Sequence, residues 1–256
     1  MKVFSKLLFI LIIFFLSLTQ LEAQISIGIQ GGLSLPNLTD GNNNISRGYS
    51  SRMAPNFGIL GDYQLSDHFA LQAEVNFDGQ GGQRRGLQPI TSTDLPPLPS
   101  GGDYYAKFKN VSILNYLEIP VTLKYKLKKG IFSYFVDAGP FVGFLLNAKE
   151  ESSGTSPIYV DNKGTLLMEP IPPDYQQYAP VPPQSFNSTT DVTDSINKVN
   201  FGVCGSIGIS YDLTHSTSIF LEAHGLYGFT NVQKYSVDGK SHTGNLCITA
   251  GYMFRI

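Results

Sequence analysis

The chain has 256 residues, a formal net charge of −2, 26 glycines, 17 + 14 = 31 phenylalanines and tyrosines, no tryptophan, and charged residues at only 15%. The near-neutral balance excludes the basic footprint of a nucleic-acid binder. Glycine and aromatics with few charges exclude a charge-rich helical bundle and point to β structure, in one domain or two small ones.

Residues 1–24 read MKVFSKLLFILIIFFLSLTQLEAQ. Lys2 and Lys6 precede Leu7 to Leu18, an uncharged apolar run of 12 residues, and Ala23–Gln24 fits a small-residue cleavage site. This is the pattern of a secretory signal peptide over 1–23, with a retained anchor helix as the rival reading. Its removal takes away two Lys and one Glu and leaves 16 − 19 = −3. No later apolar run approaches the ~18 residues of a spanning helix, so 24–256 enters a membrane only as strands.

Period-2 alternation marks eight segments, near 25–35, 54–65, 69–79, 114–127, 131–146, 200–213, 217–229 and 245–256. Most exceed the ~5–6 residues usual in globular sheets and reach the ~9–11 that a tilted membrane strand needs. Segments 2–3, 4–5 and 6–7 are joined by a few polar residues. Longer polar loops fall at about 36–53, 80–113, 147–199 and 230–244. Alternating short and long connections predict an all-β, eight-stranded antiparallel up-and-down transmembrane barrel, with short periplasmic turns and long extracellular loops. Tyr-x-Leu recurs before each short turn, at Tyr63, Tyr125 and Tyr211. Each is expected to end a descending strand, with its phenol at the headgroups. With Phe69, Phe132, Tyr252 and Phe254 these tyrosines form a predicted aromatic girdle. Phe57, Phe77, Phe144, Phe201, Tyr227 and Phe229 mark the opposite rim.

The segments ISIGIQGGLSL, YLEIPVTLKYKL, FVDAGPFVGFLL and ITAGYMFRI resemble the PorT-like outer-membrane β-barrel proteins of Gram-negative bacteria. Leu117–Pro120 followed by Asp137–Pro140 is the most specific piece, and the resemblance covers the strands but not the loops. It implies an eight-stranded barrel in the bacterial outer membrane. The founding member is tied to protein secretion, which implies envelope or secretion proteins as partners beside outer-membrane lipid.

By parity, Asp62, Glu74, Glu118, Lys124, Asp137, Glu222, His224 and Arg255 face the lumen. An eight-stranded interior is just wide enough for side chains to fill. The cluster is therefore expected to be a structural plug of paired charges, with a narrow proton or ion path as the alternative. Glu222 and His224 share a strand face, but no G-x-S-x-G element accompanies them, so no catalytic residue is assigned. The four histidines lack i, i+2 or i, i+4 pairing, and the stretch from Asp40 lacks the glycine and closing glutamate of a calcium loop. No metal or cofactor is expected. Cys204 and Cys247 lie on strands separated by another, near 10 Å apart at ~4.8 Å per strand, too far for a disulfide. The expected function is a non-catalytic envelope scaffold or export accessory, with small-solute or ion permeation as the alternative and a lipid-modifying envelope enzyme, its test the loss of activity in His224→Ala, as the third reading.

Overall fold

The computed structural model describes residues 25–44, 46–90, 95–98, 101–172, 176–235, 237 and 239–256. The signal-peptide segment lies outside them. Eight strands close a ring: β1 (Ile25–Ser34), β2 (Ala54–Gln64), β3 (Phe69–Ile90), β4 (Tyr104–Lys129), β5 (Phe132–Ser153), β6 (Val199–Asp212), β7 (Thr217–Gly228) and β8 (His242–Arg255). Each pairs antiparallel with its neighbours, and β1 pairs with both β2 and β8. Closure leaves no barrel edge, so the backbone groups of the spanning band are satisfied within the ring.

The register sets the tilt. Followed round the ring from Ile25, the pairing passes Tyr63, Leu71, Leu123, Ala138, Gly205, Gly225 and Leu246. It returns to β1 at Leu35, whose N–H donates to the Leu246 carbonyl. The stagger is 35 − 25 = 10 residues. Ten residues of rise against eight strand spacings give a tilt of about 40°.

Alternation then sorts the side chains. Ile25, Ile27, Ile29, Phe57, Ile59, Val203, Ile207, Leu246 and Ile248 are exposed on the outer wall. Gln30, Glu74, Glu118, Asp137 and Glu222 are buried within. This inverts a soluble barrel and puts the apolar face toward lipid. Aromatics bracket that face. Phe69 packs on Tyr125 at 5.2 Å and Phe132 on Tyr211 at 5.3 Å, while Tyr252 and Phe254 are exposed at the same end and Tyr63 is half-buried there. Phe57 stacks on Phe77 at 5.0 Å, and Phe229 meets Phe201 and Tyr227 at the other end. Eight residues separate Phe69 from Phe77, which at this tilt is about 20 Å of height, near the ~25 Å of an apolar barrel band.

The main departure from the sequence expectation lies beyond the outer aromatics. Residues 80–90, 104–113 and 147–153, expected as loop, continue β3, β4 and β5 as an unbroken distal sheet. Gly79–Gly82 and Arg84–Arg85 mimic loop composition. Gly81 instead sits in the ladder at φ +106°, where a Cβ would lie 2.1 Å from the Ser112 carbonyl oxygen. The loop after β5 also carries regular structure. Ser188–Asp191 adds to the edge of β5, Met168–Pro170 pairs with Tyr178–Pro180, and Phe186 stacks on Phe108 at 4.8 Å.

Candidate functional site: the lumen

The inward side chains form three levels. At the short-turn end is a cavity of about 260 Å³ whose walls include Asp62, Lys124, Lys126, Lys128, Asp212 and Arg255. Its three lysines are paired: Lys126 to Asp62 at 2.5 Å, Lys124 to Asp62 at 3.6 Å, and Lys128 to Asp212 at 2.7 Å. Its inner end is an apolar cluster of Leu60, Phe135, Phe220 and Met253. The Lys124 ammonium rests 4.4 Å from the Phe135 ring centroid and also bonds the Gln72 amide oxygen. Phe135 fits because β6 carries Gly208 beside it; a Cβ there would meet the ring at 2.2 Å.

The middle level is a carboxylate–amide network. Glu74 accepts from Gln30 and Asn76, each at 2.7 Å, and from Gln72. Asp78 accepts from Asn56 at 2.9 Å, Gln80 at 2.7 Å and Asn245 at 2.8 Å. Gln80 also donates to Glu118 at 2.8 Å. Ser206 bonds Asp137, which sits opposite Lys124 across the β4–β5 pair. The His224 Nδ1 lies 3.6 Å from Glu222 Oε1. Buried polar groups with such partners cost little, whereas unpaired ones cost several kcal/mol each. The space left at this level is about 10 Å³. Cys204 and Cys247 are buried here as free thiols.

The loop end is closed by hydrocarbon. Leu114 and Tyr116 of β4 and Ala148 of β5 meet Leu38, Ile196 and Val232 from three loops, with Tyr49, Leu145 and Val192 at the margin. The loop before β2 is held down by Arg84, which donates to the Asn44 and Arg47 carbonyls at 3.1 and 3.0 Å and lies 4.8 Å from the Tyr49 ring. Burial pushes the Tyr49 phenol above its ordinary range, against the opposing pull of the Arg84 guanidinium.

Seven of the eight residues assigned to the lumen by parity are buried there: Asp62, Glu74, Glu118, Lys124, Asp137, Glu222 and His224. Arg255 is not with them. It is exposed at the cavity mouth and donates to the His215 carbonyl at 3.0 Å, because its strand ends there. Asp78, Lys126 and the amides of Gln30, Asn56, Gln80 and Asn245 were not anticipated, and Gln72 and Asn76, which alternation puts on the same face as Glu74, were not counted in the cluster. Most share the parity of the charged positions; attention to charge alone passed over the amides that bind them. The apolar seal carries no periodic signal, since its parts converge from separate loops. Among the described residues no group of three or more His, Cys, Asp or Glu is placed to hold a metal ion.

Several solved structures resemble the chain in shape. Ail of Yersinia pestis matches at 10% identity and a TM-score of 0.38, over 91% of this chain and 100% of that one. The N-terminal β-barrel domain of Pseudomonas aeruginosa OprF matches at 11% and 0.38, over 92% and 100%. The outer membrane protease OmpT from Escherichia coli matches at 11% and 0.43, over 93% and 99%. Scores this low bear on neither role nor mechanism. No curated protein matches in sequence. A family profile described as outer membrane protein beta-barrel domain matches residues 19–234, so the chain belongs to that family and is a β-barrel of the outer membrane.

Proposed function

We propose that this barrel is a closed, non-catalytic scaffold of the envelope, acting through its loops and distal sheet as an accessory to protein export or envelope structure. The carrying observation is the double obstruction of the lumen: about 10 Å³ of free space at mid-height, and an apolar seal above it. A hydrated solute meets a filled polar layer and then hydrocarbon. Glu222 and His224 lie buried beneath the seal, out of reach of lipid or peptide, which supports a non-catalytic reading. The likeness of Leu117–Pro120 and Asp137–Pro140 to PorT-like barrels favours export over other envelope roles and makes secretion proteins the expected partners. Small-solute permeation is the second reading, favoured by the polar cavity at the short-turn end.

Planar-bilayer recording decides between them. The purified barrel is expected to give a flat current trace at ±100 mV. Steady single-channel steps would overturn the scaffold reading in favour of permeation.

A further inference from the structure

The middle of the lumen has an excess of acceptors. Between the Asp62–Lys126 pair and the apolar seal lie the carboxyl groups of Glu74, Asp78, Glu118, Asp137 and Glu222. Among the described residues Lys124, Arg52 on the Asp78 side and, when protonated, His224 stand against these five. The amides cannot balance the count, because they are already turned toward the carboxylates. Gln30 spends its NH₂ on Glu74 and Asn76, and Asn56 spends its own on Asp78. Their carbonyl oxygens are left buried without a hydrogen-bond partner, as are Glu222 Oε2 and the Thr249 hydroxyl. All four residues are more than nine-tenths buried, and all four line the same small void of about 10 Å³, together with Glu74, Asn76, Glu118, His224 and Cys247.

Two occupants fit that volume, one water or one small ion. A water can accept from the Thr249 hydroxyl but brings two protons for the three oxygens of Gln30, Asn56 and Glu222, and no charge to offset the carboxyl excess. A hard cation satisfies every lone pair that faces it and offsets that excess. The ligand atoms also set its class. Three are oxygens of neutral groups and one belongs to a carboxylate; Glu74 and Glu118, which also line the void, already accept from Gln30, Gln72, Asn76 and Gln80, and among the described residues no group of three or more His, Cys, Asp or Glu is placed to hold a metal ion. A highly charged or soft metal is poorly served by such a set.

We propose that the void bounded by Gln30, Asn56, Glu222 and Thr249 is a binding site for a monovalent cation of sodium size, locked inside the barrel as part of its plug. The ion ties β1, β2, β7 and β8 together across the lumen, the four strands that flank the ring's closing seam. It acts as a structural counter-ion, with no through-path.

The test uses the full-length barrel refolded separately in each salt, in a zwitterionic detergent, so that the site fills or stays empty as the ring closes. Thermal unfolding is followed at one scan rate in sodium chloride and in choline chloride of equal ionic strength. A saturable sodium-specific rise in Tm of about 3–5 °C is expected, the size of a ligand at roughly ten times its dissociation constant on a chain this long. Thr249→Val and Asn56→Leu are each expected to abolish that increment while retaining the folded band on unboiled gels. Equal Tm values in the two salts for the unaltered chain would overturn the proposal and leave water as the occupant. That comparison needs no variant to fold. A sodium increment that survives both substitutions would equally overturn it, by placing the ion elsewhere.

Discussion

Ile207 stands at mid-height on β6 and is 63% exposed, while Leu213 lies just past the strand's end at the short-turn rim and is 49% exposed. Exposure hardly separates them; depth does. Charge on the lipid face costs about 2–4 kcal/mol at the midplane and about 0–1 near the interface. Ile207→Arg is therefore expected to lower the folded fraction in a urea refolding titration in lipid vesicles, and Leu213→Arg to leave it nearly unchanged. Equal losses at both positions would contradict the depth assignment that follows from the register.

At the scale of elements, β3, β4 and β5 each do two jobs: one stretch spans lipid and the rest stands clear of it. Phe77 lies at the outer aromatic belt, and β3 continues another 13 residues to Ile90. At ~3.3 Å per residue and about 40° of tilt this carries the strand some 30 Å beyond the belt. Because Arg84 pairs with Asn110 and still anchors the loop before β2, the sheet above that point is separable. Replacing residues 85–109 by an Asn-Gly turn is expected to leave a barrel that folds and migrates as a compact band. Loss of folding would make the distal sheet part of the barrel's own folding unit. The contrast explains what could be read in the sequence. Strand cores were legible because one face repels water and the other does not, as in Phe69, Leu71, Ala73 and Val75 against Ala70, Gln72, Glu74 and Asn76. Above Gly79 neither face touches lipid, so the alternation fades while the pairing goes on. Leu114 and Tyr116 were illegible for another reason. They share parity with Glu118, and only loops brought in by tertiary contact give those inward apolar groups something to meet.

For the whole molecule, the decisive contact is the seam. Ser26 pairs with Arg255, at opposite ends of the chain and 255 − 26 = 229 residues apart. Removing Tyr252–Ile256 deletes the partners of Ser26, Ile27, Gly28 and Ile29 and opens the lower seam. The shortened chain is expected to lose the shift between boiled and unboiled samples on a gel, which the full chain should show. The seam also has a kinetic consequence. Strands two to seven can zip to sequence neighbours as hairpins, but the ring cannot shut until the last residues arrive, and loop closure over such a span is slow. Until then β1 and β8 each present a row of unpaired amides and carbonyls, a template for any other strand nearby. Insertion of this barrel is thus a race between its own ends meeting and a stranger's strand reaching one of them first, and a device that shields an open strand pair would decide the winner.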